Sequence, residues 1–150
     1  MEINTRDFGT IQVKEDALYA FPNGIYGFEE DKQFAVFSKT IEDVSLLYMQ
    51  STKNPTPCFL VFEPWELHPG YDPILSTDDL AQCEAKTIDD LIFLVIATVH
   101  ESVEDLTINI KSPIVLNPVT KMAMQVILQN PDYSVRFRPF QKNEEEKSSC

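Results

Sequence analysis

Polar and apolar residues alternate with a period of two along much of this chain, the spacing that turns one face of a β-strand to a core and the other to water. Thr10-Ile11-Gln12-Val13-Lys14 alternates in this way. Residues 3–6 precede it across Asp7-Phe8-Gly9, a short loop whose glycine can take positive φ, and together the two segments predict an opening hairpin. Residues 33–38, 45–51 and 58–62 are rich in aromatic and aliphatic side chains and predict core strands. The last is bracketed by Pro57 and Pro64, which bound strands because proline cannot donate to a ladder.

Between Gly70 and Ala85 the pattern changes. Ser76-Thr77-Asp78-Asp79 has the hydroxyl and early acids of a helix start and predicts a short helix through Leu80-Ala81-Gln82-Cys83. A second acidic start, Thr87-Ile88-Asp89-Asp90, leads into the apolar run 91–99, where length and β-branching favour a strand buried on both faces over a helix. Residues 106–111 alternate again, and Ser112-Pro113 turns the chain into Ile114-Val115-Leu116. Asn117-Pro118-Val119-Thr120 and Asn130-Pro131-Asp132 read as turns on either side of a strand over 122–128, after which Tyr133, Val135 and Phe137 interleave with Ser134, Arg136 and Arg138. The sum is a mainly β chain with one or two short helices. Turn signals at such intervals argue for a sandwich or a closed barrel. With 150 residues the chain predicts one domain over 1–140, and the polar, charged segment 141–150 is expected to fray.

Charge changes this picture more than composition does. The 12 Lys and Arg stand against 24 Asp and Glu, and a net charge of -12 disfavours direct binding of nucleic acid, which needs a cationic face. Residues 63–105 carry 11 of the acids and 1 base, so the imbalance sits inside folded-looking sequence. Charge alone favours a solvated face that keeps the chain soluble. The sharper reading is a surface that steers a basic partner toward it and repels that partner's nucleic acid. The start Met1-Glu2-Ile3-Asn4-Thr5 has neither the basic nor the apolar segment of an export signal, and the run 91–99 is less than half of the ~20 residues a spanning helix needs. The expectation is a cytoplasmic chain with no membrane partner.

Candidate chemistry is sparse. Cys58, Cys83 and Cys150 cannot all pair and lack CxxC spacing, so neither a disulfide framework nor zinc is implied. A nucleophilic thiol would need Cys58 or Cys83 beside His68 or His100 and a carboxylate, but no motif joins them. His68-Pro69-Gly70-Tyr71-Asp72 offers a metal two ligands where three or four are usual, and reads better as a turn. Asp78-Asp79 and Asp89-Asp90 lack calcium-loop spacing, and no phosphate or dinucleotide motif is present, so no catalytic residue, metal or cofactor is assigned. The most unusual stretch is Phe21-Pro22-Asn23-Gly24-Ile25-Tyr26-Gly27-Phe28, which spacing alone reads as a rigid turn with positive φ and apolar side chains packed back on the core.

That stretch resembles the FPxGIxGF signature of the FliW family of bacterial flagellar assembly factors. Ile3 to Ile11 is similar to the family's opening strand pair, and Tyr48-Met49-Gln50-Ser51 before Phe59-Leu60-Val61-Phe62-Glu63-Pro64 to its central pattern. Leu106 to Asn117 matches TxNxxxPIVxN, and Gln125-Val126-Ile127-Leu128 with Tyr133 and Arg136 matches the closing QVIL and YxxR. Tyr26 stands where proline is common and Ile108 where alanine is common, and the tail after Phe140 follows no family pattern. The resemblance implies a single antiparallel β-barrel-like domain without a catalytic site, a protein-binding regulator that binds flagellin in the cytoplasm. Alternatively it binds CsrA, a small basic RNA-binding dimer, and relieves CsrA repression of flagellin translation.

An acidic block suits a basic partner, and the candidate contact residues are Glu101, Glu104 and Asp105 beside Ile108, with Asp72, Asp78 and Asp79 as a second patch. Two alternatives make different predictions. A small hydrolase or isomerase needs His68 or His100 against a carboxylate in a pocket. A sheet-edge chaperone pairing with an extended peptide needs an exposed, uncharged strand edge.

Overall fold

The opening alternation forms the hairpin it predicts: β1 (Glu2–Asn4) and β2 (Thr10–Gln12) pair antiparallel with Ile3 opposite Ile11. The computed structural model describes residues 1–140; the predicted tail 141–150, with Cys150, lies outside the described residues. Next come β3 (Leu18–Ala20), β4 (Gln33–Ile41), β5 (Val44–Ser51) and β6 (Cys58–Phe62). They are followed by α1 (Pro64–Leu67), α2 (Thr77–Gln82), β7 (Ile92–Thr98), β8 (Thr107–Ile108), β9 (Ile114–Leu116) and β10 (Ala123–Gln125). Strands β3 to β10 form one sheet in the order β10-β9-β7-β6-β5-β4-β3, with β8 on β7, and every ladder is antiparallel.

The β4–β5 hairpin runs without interruption from Phe34 opposite Ser51 to Ile41 opposite Val44. Glu42 and Asp43 between them have φ of 50° and 66°, the left-handed pair that lets a two-residue turn follow strand twist. No Asn-Gly marks this turn, so the strands predicted over 33–38 and 45–51 run further toward each other than their sequence shows.

Alternation sorts the sheet residues onto two faces. Tyr19, Phe34, Met49, Val61, Leu94, Ile114, Leu116 and Ala123 form one cluster with Phe21 and Ile25. The sheet curls around them until its two edge strands touch, where the Ala20 N–H donates to the Lys121 carbonyl at 2.9 Å and Ala20 bridges Met122 in parallel. One bridge is not a ladder. The sheet is therefore mainly β and antiparallel as expected, and barrel-like only in the loose sense that it curls without closing.

The outer face is covered in two pieces. The β1–β2 hairpin sets Ile3 and Val13 on Ala35. Over β6, β7 and β9 lies a layer built from α1, α2 and the loops after β7 and β10, with Tyr71, Cys83, Leu106, Ile108, Ile110, Val126 and Leu128 buried against Phe93, Val95 and Val115. The helix α2 starts as its sequence predicts, with the Asp79 N–H donating to Ser76 Oγ at 3.0 Å. The single turn α1 was not legible, although Pro64 at its start is a position where a missing N–H costs nothing.

In this layer alternation fails as a guide. Leu106, Thr107, Ile108 and Ile110 are all buried, because the segment lies between β7, where Ala97 faces Ile108, and residue 137, whose carbonyl accepts from the Ile108 N–H at 2.8 Å. The strands predicted over 106–111, 122–128 and 133–137 shrink to Thr107–Ile108, Ala123–Gln125 and one isolated bridge between Ile108 and Phe137.

Candidate functional site

The unusual stretch 21–28 is a turn, and it is only half packed. Phe21 and Ile25 are buried, as expected, but Tyr26 is 60% exposed and Phe28 40%. Gly24 has φ +65°, and a Cβ there would lie 2.5 Å from the Glu29 Cα, so neither its conformation nor its surroundings admit another residue. The Tyr26 N–H donates to the Gln125 side chain at 3.1 Å, which holds this turn beside β10.

The acidic candidates sit on two different supports. Glu101, Glu104 and Asp105 lie exposed in the connection from β7 to β8, the last two in a 3-10 turn over Val103–Asp105, with Ser102 Oγ donating to Asp105 at 3.4 Å. Asp78 and Asp79 occupy the first turn of α2, Asp78 exposed and Asp79 half-buried. Asp72 is exposed too, and its backbone is pinned: its N–H donates to Tyr133 Oη at 2.7 Å and its carbonyl accepts from Asn130 Nδ2 at 2.8 Å. Ile108 is different. It is fully buried between β7 and Phe137 and offers no surface to a partner. Among the described residues the ion pair seen is Arg6 with Asp7, outside the acidic block.

The groups that a catalytic site would need are placed against such a role. Burial raises the Cys58 thiol and pushes Cys83 up to about 11, so both are protonated at neutral pH and poor nucleophiles. The His68 ring lies 4.9 Å from Phe137, 5.8 Å from Tyr133 and 5.9 Å from Tyr71, with a buried Nδ1 that has no hydrogen-bond partner among the described residues. His100 Nε2 meets the Thr107 hydroxyl at 3.2 Å. Neither imidazole is oriented by a carboxylate among the described residues, the arrangement a histidine base requires. No cluster of three metal-ligating side chains occurs among the described residues, and no described helix is long and apolar enough to cross a membrane.

Two further surfaces were not singled out from sequence. One is a groove of about 600 Å³ where β6 and β7 diverge, lined by Arg6, Phe28, Tyr48, Phe59, Ile96 and Val99. Its strand edge is plugged, since Arg6 Nη1 donates to the Cys58 carbonyl at 2.8 Å while Asp7 holds the guanidinium. The other is a cavity of about 350 Å³ between the 21–28 turn, α2 and β10. Its residues come from three separated parts of the chain, and no local pattern announces their meeting.

The family described as FliW protein matches residues 2–139 of this chain. A flagellar assembly factor FliW of Syntrophus aciditrophicus strain SB is 33% identical over 137 residues, covering 91% of this chain and 86% of that protein. One from Geobacillus sp. strain WCH70 is 35% identical over 140 residues, covering 93% of this chain and 96% of that protein. The crystal structure of the flagellar assembly factor FliW superposes with a TM-score of 0.83 at 33% identity, over 94% of this chain and 98% of that one. Sequence and fold thus agree over almost the whole length, and the chain belongs to the FliW family of flagellar assembly factors.

Proposed function

We propose that this chain is a cytoplasmic protein-binding regulator that holds flagellin and, when flagellin is exported, captures CsrA instead and lifts its repression of flagellin translation. One observation carries the reading: Asp72, Asp78, Glu101, Glu104 and Asp105 are exposed in a chain of net charge -12. A fixed negative surface attracts a basic dimer at long range and repels RNA phosphates that compete for it. The contribution of the protein is a field and a shape, and it calls for no reactive group, metal or cofactor. Direct nucleic acid binding is disfavoured by the same charge.

The test is retention on the immobilised chain from a lysate of motile cells, with purified flagellin added as competitor. Flagellin and CsrA should both be retained, and added flagellin should displace CsrA. Retention of neither protein would overturn the reading.

A further inference from the structure

The edge of β10 is open over a short, defined length. The Asn117 N–H donates to the Met122 carbonyl, Val126 to Pro113 and Leu128 to Lys111, so even-numbered residues of 122–128 turn their backbone groups toward β9 and the chain before it. Odd-numbered residues face the other way. At one end of that outer side the Lys121 carbonyl is taken by Ala20, and at the other the Gln129 N–H reaches the Ile74 carbonyl at 3.5 Å. The parallel bridge between Ala20 and Met122 also engages the Ala123 N–H, and beyond it the outward backbone groups of Gln125 and Ile127 have no hydrogen-bond partner among the described residues. The open part runs from the Ala123 carbonyl to Ile127, about 13 Å at most, room for about four residues of added strand.

This edge is also where the cavity lies, with Tyr26, Glu29 and Asp79 facing Met124, Gln125 and Ile127. Tyr26 and Ile127 expose 60% and 55% of their surface at its rim. We propose that this slot takes up an extended segment of a partner protein as an extra strand, with an apolar side chain against Tyr26 and Ile127 and a basic one against Glu29 and Asp79. The inference rests on the reading of the chain as a protein-binding factor and names the surface and the peptide chemistry it uses. Backbone pairing supplies affinity in such a slot and the flanking side chains supply selectivity. Charge argues for the occupant. The chain's own segment 141–150 sets Glu144, Glu145 and Glu146 against Lys142 and Lys147, and a second copy would bring its own Glu29 and Asp79, so neither offers the net positive charge that a basic segment does. The contrast with β6 supports the assignment, since there Arg6 fills the gap from within.

The diagnostic variant is Ile127→Pro. The Ile127 side chain is exposed and its N–H points outward, so proline removes a docking donor without breaking a bond to β9. With purified flagellin as probe, hydrogen exchange at Gln125 and Ile127 of the unaltered chain should slow about tenfold on binding, and Ile127→Pro should weaken binding about tenfold while Ile127→Val, which keeps both the N–H and an apolar side chain, weakens it far less. Flagellin bound equally by both variants, with exchange at 125 and 127 unchanged, overturns the slot and leaves the function standing. If the unaltered chain binds no flagellin, the function fails, and a displayed library of random heptapeptides then decides the slot. Enrichment of alternating apolar segments with Lys or Arg, lost in Ile127→Pro, supports it, and no enrichment overturns it. Two other results overturn it as well: slow exchange in the free chain that is abolished by removing 141–150, and a dimer that Ile127→Pro dissociates.

Discussion

The inner and outer faces of the sheet are built on different physical terms. Inside, Phe21, Phe34, Met49, Val61, Leu94 and Ile114 pack with almost no exposed surface, and Phe34 meets Phe21 edge to face at 5.0 Å. Outside, the layer over β7 and β9 is held as much by polar side chains reaching backbone groups. Tyr71 Oη donates to the Ile110 carbonyl at 2.7 Å, Lys111 Nζ to the Asn130 carbonyl at 2.7 Å, and Asn117 Nδ2 to the Cys83 carbonyl at 2.9 Å. The inner face depends on volume and shape, the outer on satisfied hydrogen bonds, and the exposed acids are mounted on the outer one.

The sharpest break in this comparison is Phe34→Ala, which removes a ring from the inner cluster and should cost about 3–5 kcal/mol in urea unfolding. Asn117→Ala tests the outer layer. The side chain bonds two carbonyls, of Cys83 and Glu84, and accepts from the N–H groups of Val119 and Thr120, so its loss leaves buried groups unpaired. The expected cost is about 2–3 kcal/mol in the same assay. Tyr71→Phe removes one hydroxyl and should cost about 1–2 kcal/mol. Confined to high pH is an alkaline effect. Burial and Asp79 raise Cys83 from 9.0 to about 11, so the unfolded chain releases this proton first, and stability present below pH 9.0 falls as pH approaches 11. The melting temperature of Cys83→Ala should fall less steeply over that window than that of the unaltered chain.

The same division explains what could be read in advance. β4, β5 and β6 were legible because their segments are rich in aromatic and aliphatic side chains suited to a packed sheet, and the cap of α2 was legible because Ser76 acts locally. Residues 106–110 have covered faces on both sides, so Thr107 is as buried as Leu106 and the period carries no information about exposure. The partial closure through Ala20 and Met122 depends on sheet curvature, and the slot beside β10 on residues about 100 positions apart, which no local pattern encodes. The acidic residues could be counted from sequence, but that Ile108 is buried and not on the surface with them could not.

The central claim is that the outer face acts through its charge, and association kinetics test it most directly. Reversing Glu101, Glu104 and Asp105 to Lys touches exposed side chains and should change stability by no more than about 0.5 kcal/mol. Stopped-flow mixing with CsrA should show an association rate that falls as salt rises, and the triple variant should be slower at low salt and converge with the unaltered chain at high salt. An association rate indifferent both to salt and to the three reversals, with melting unchanged, would contradict the account.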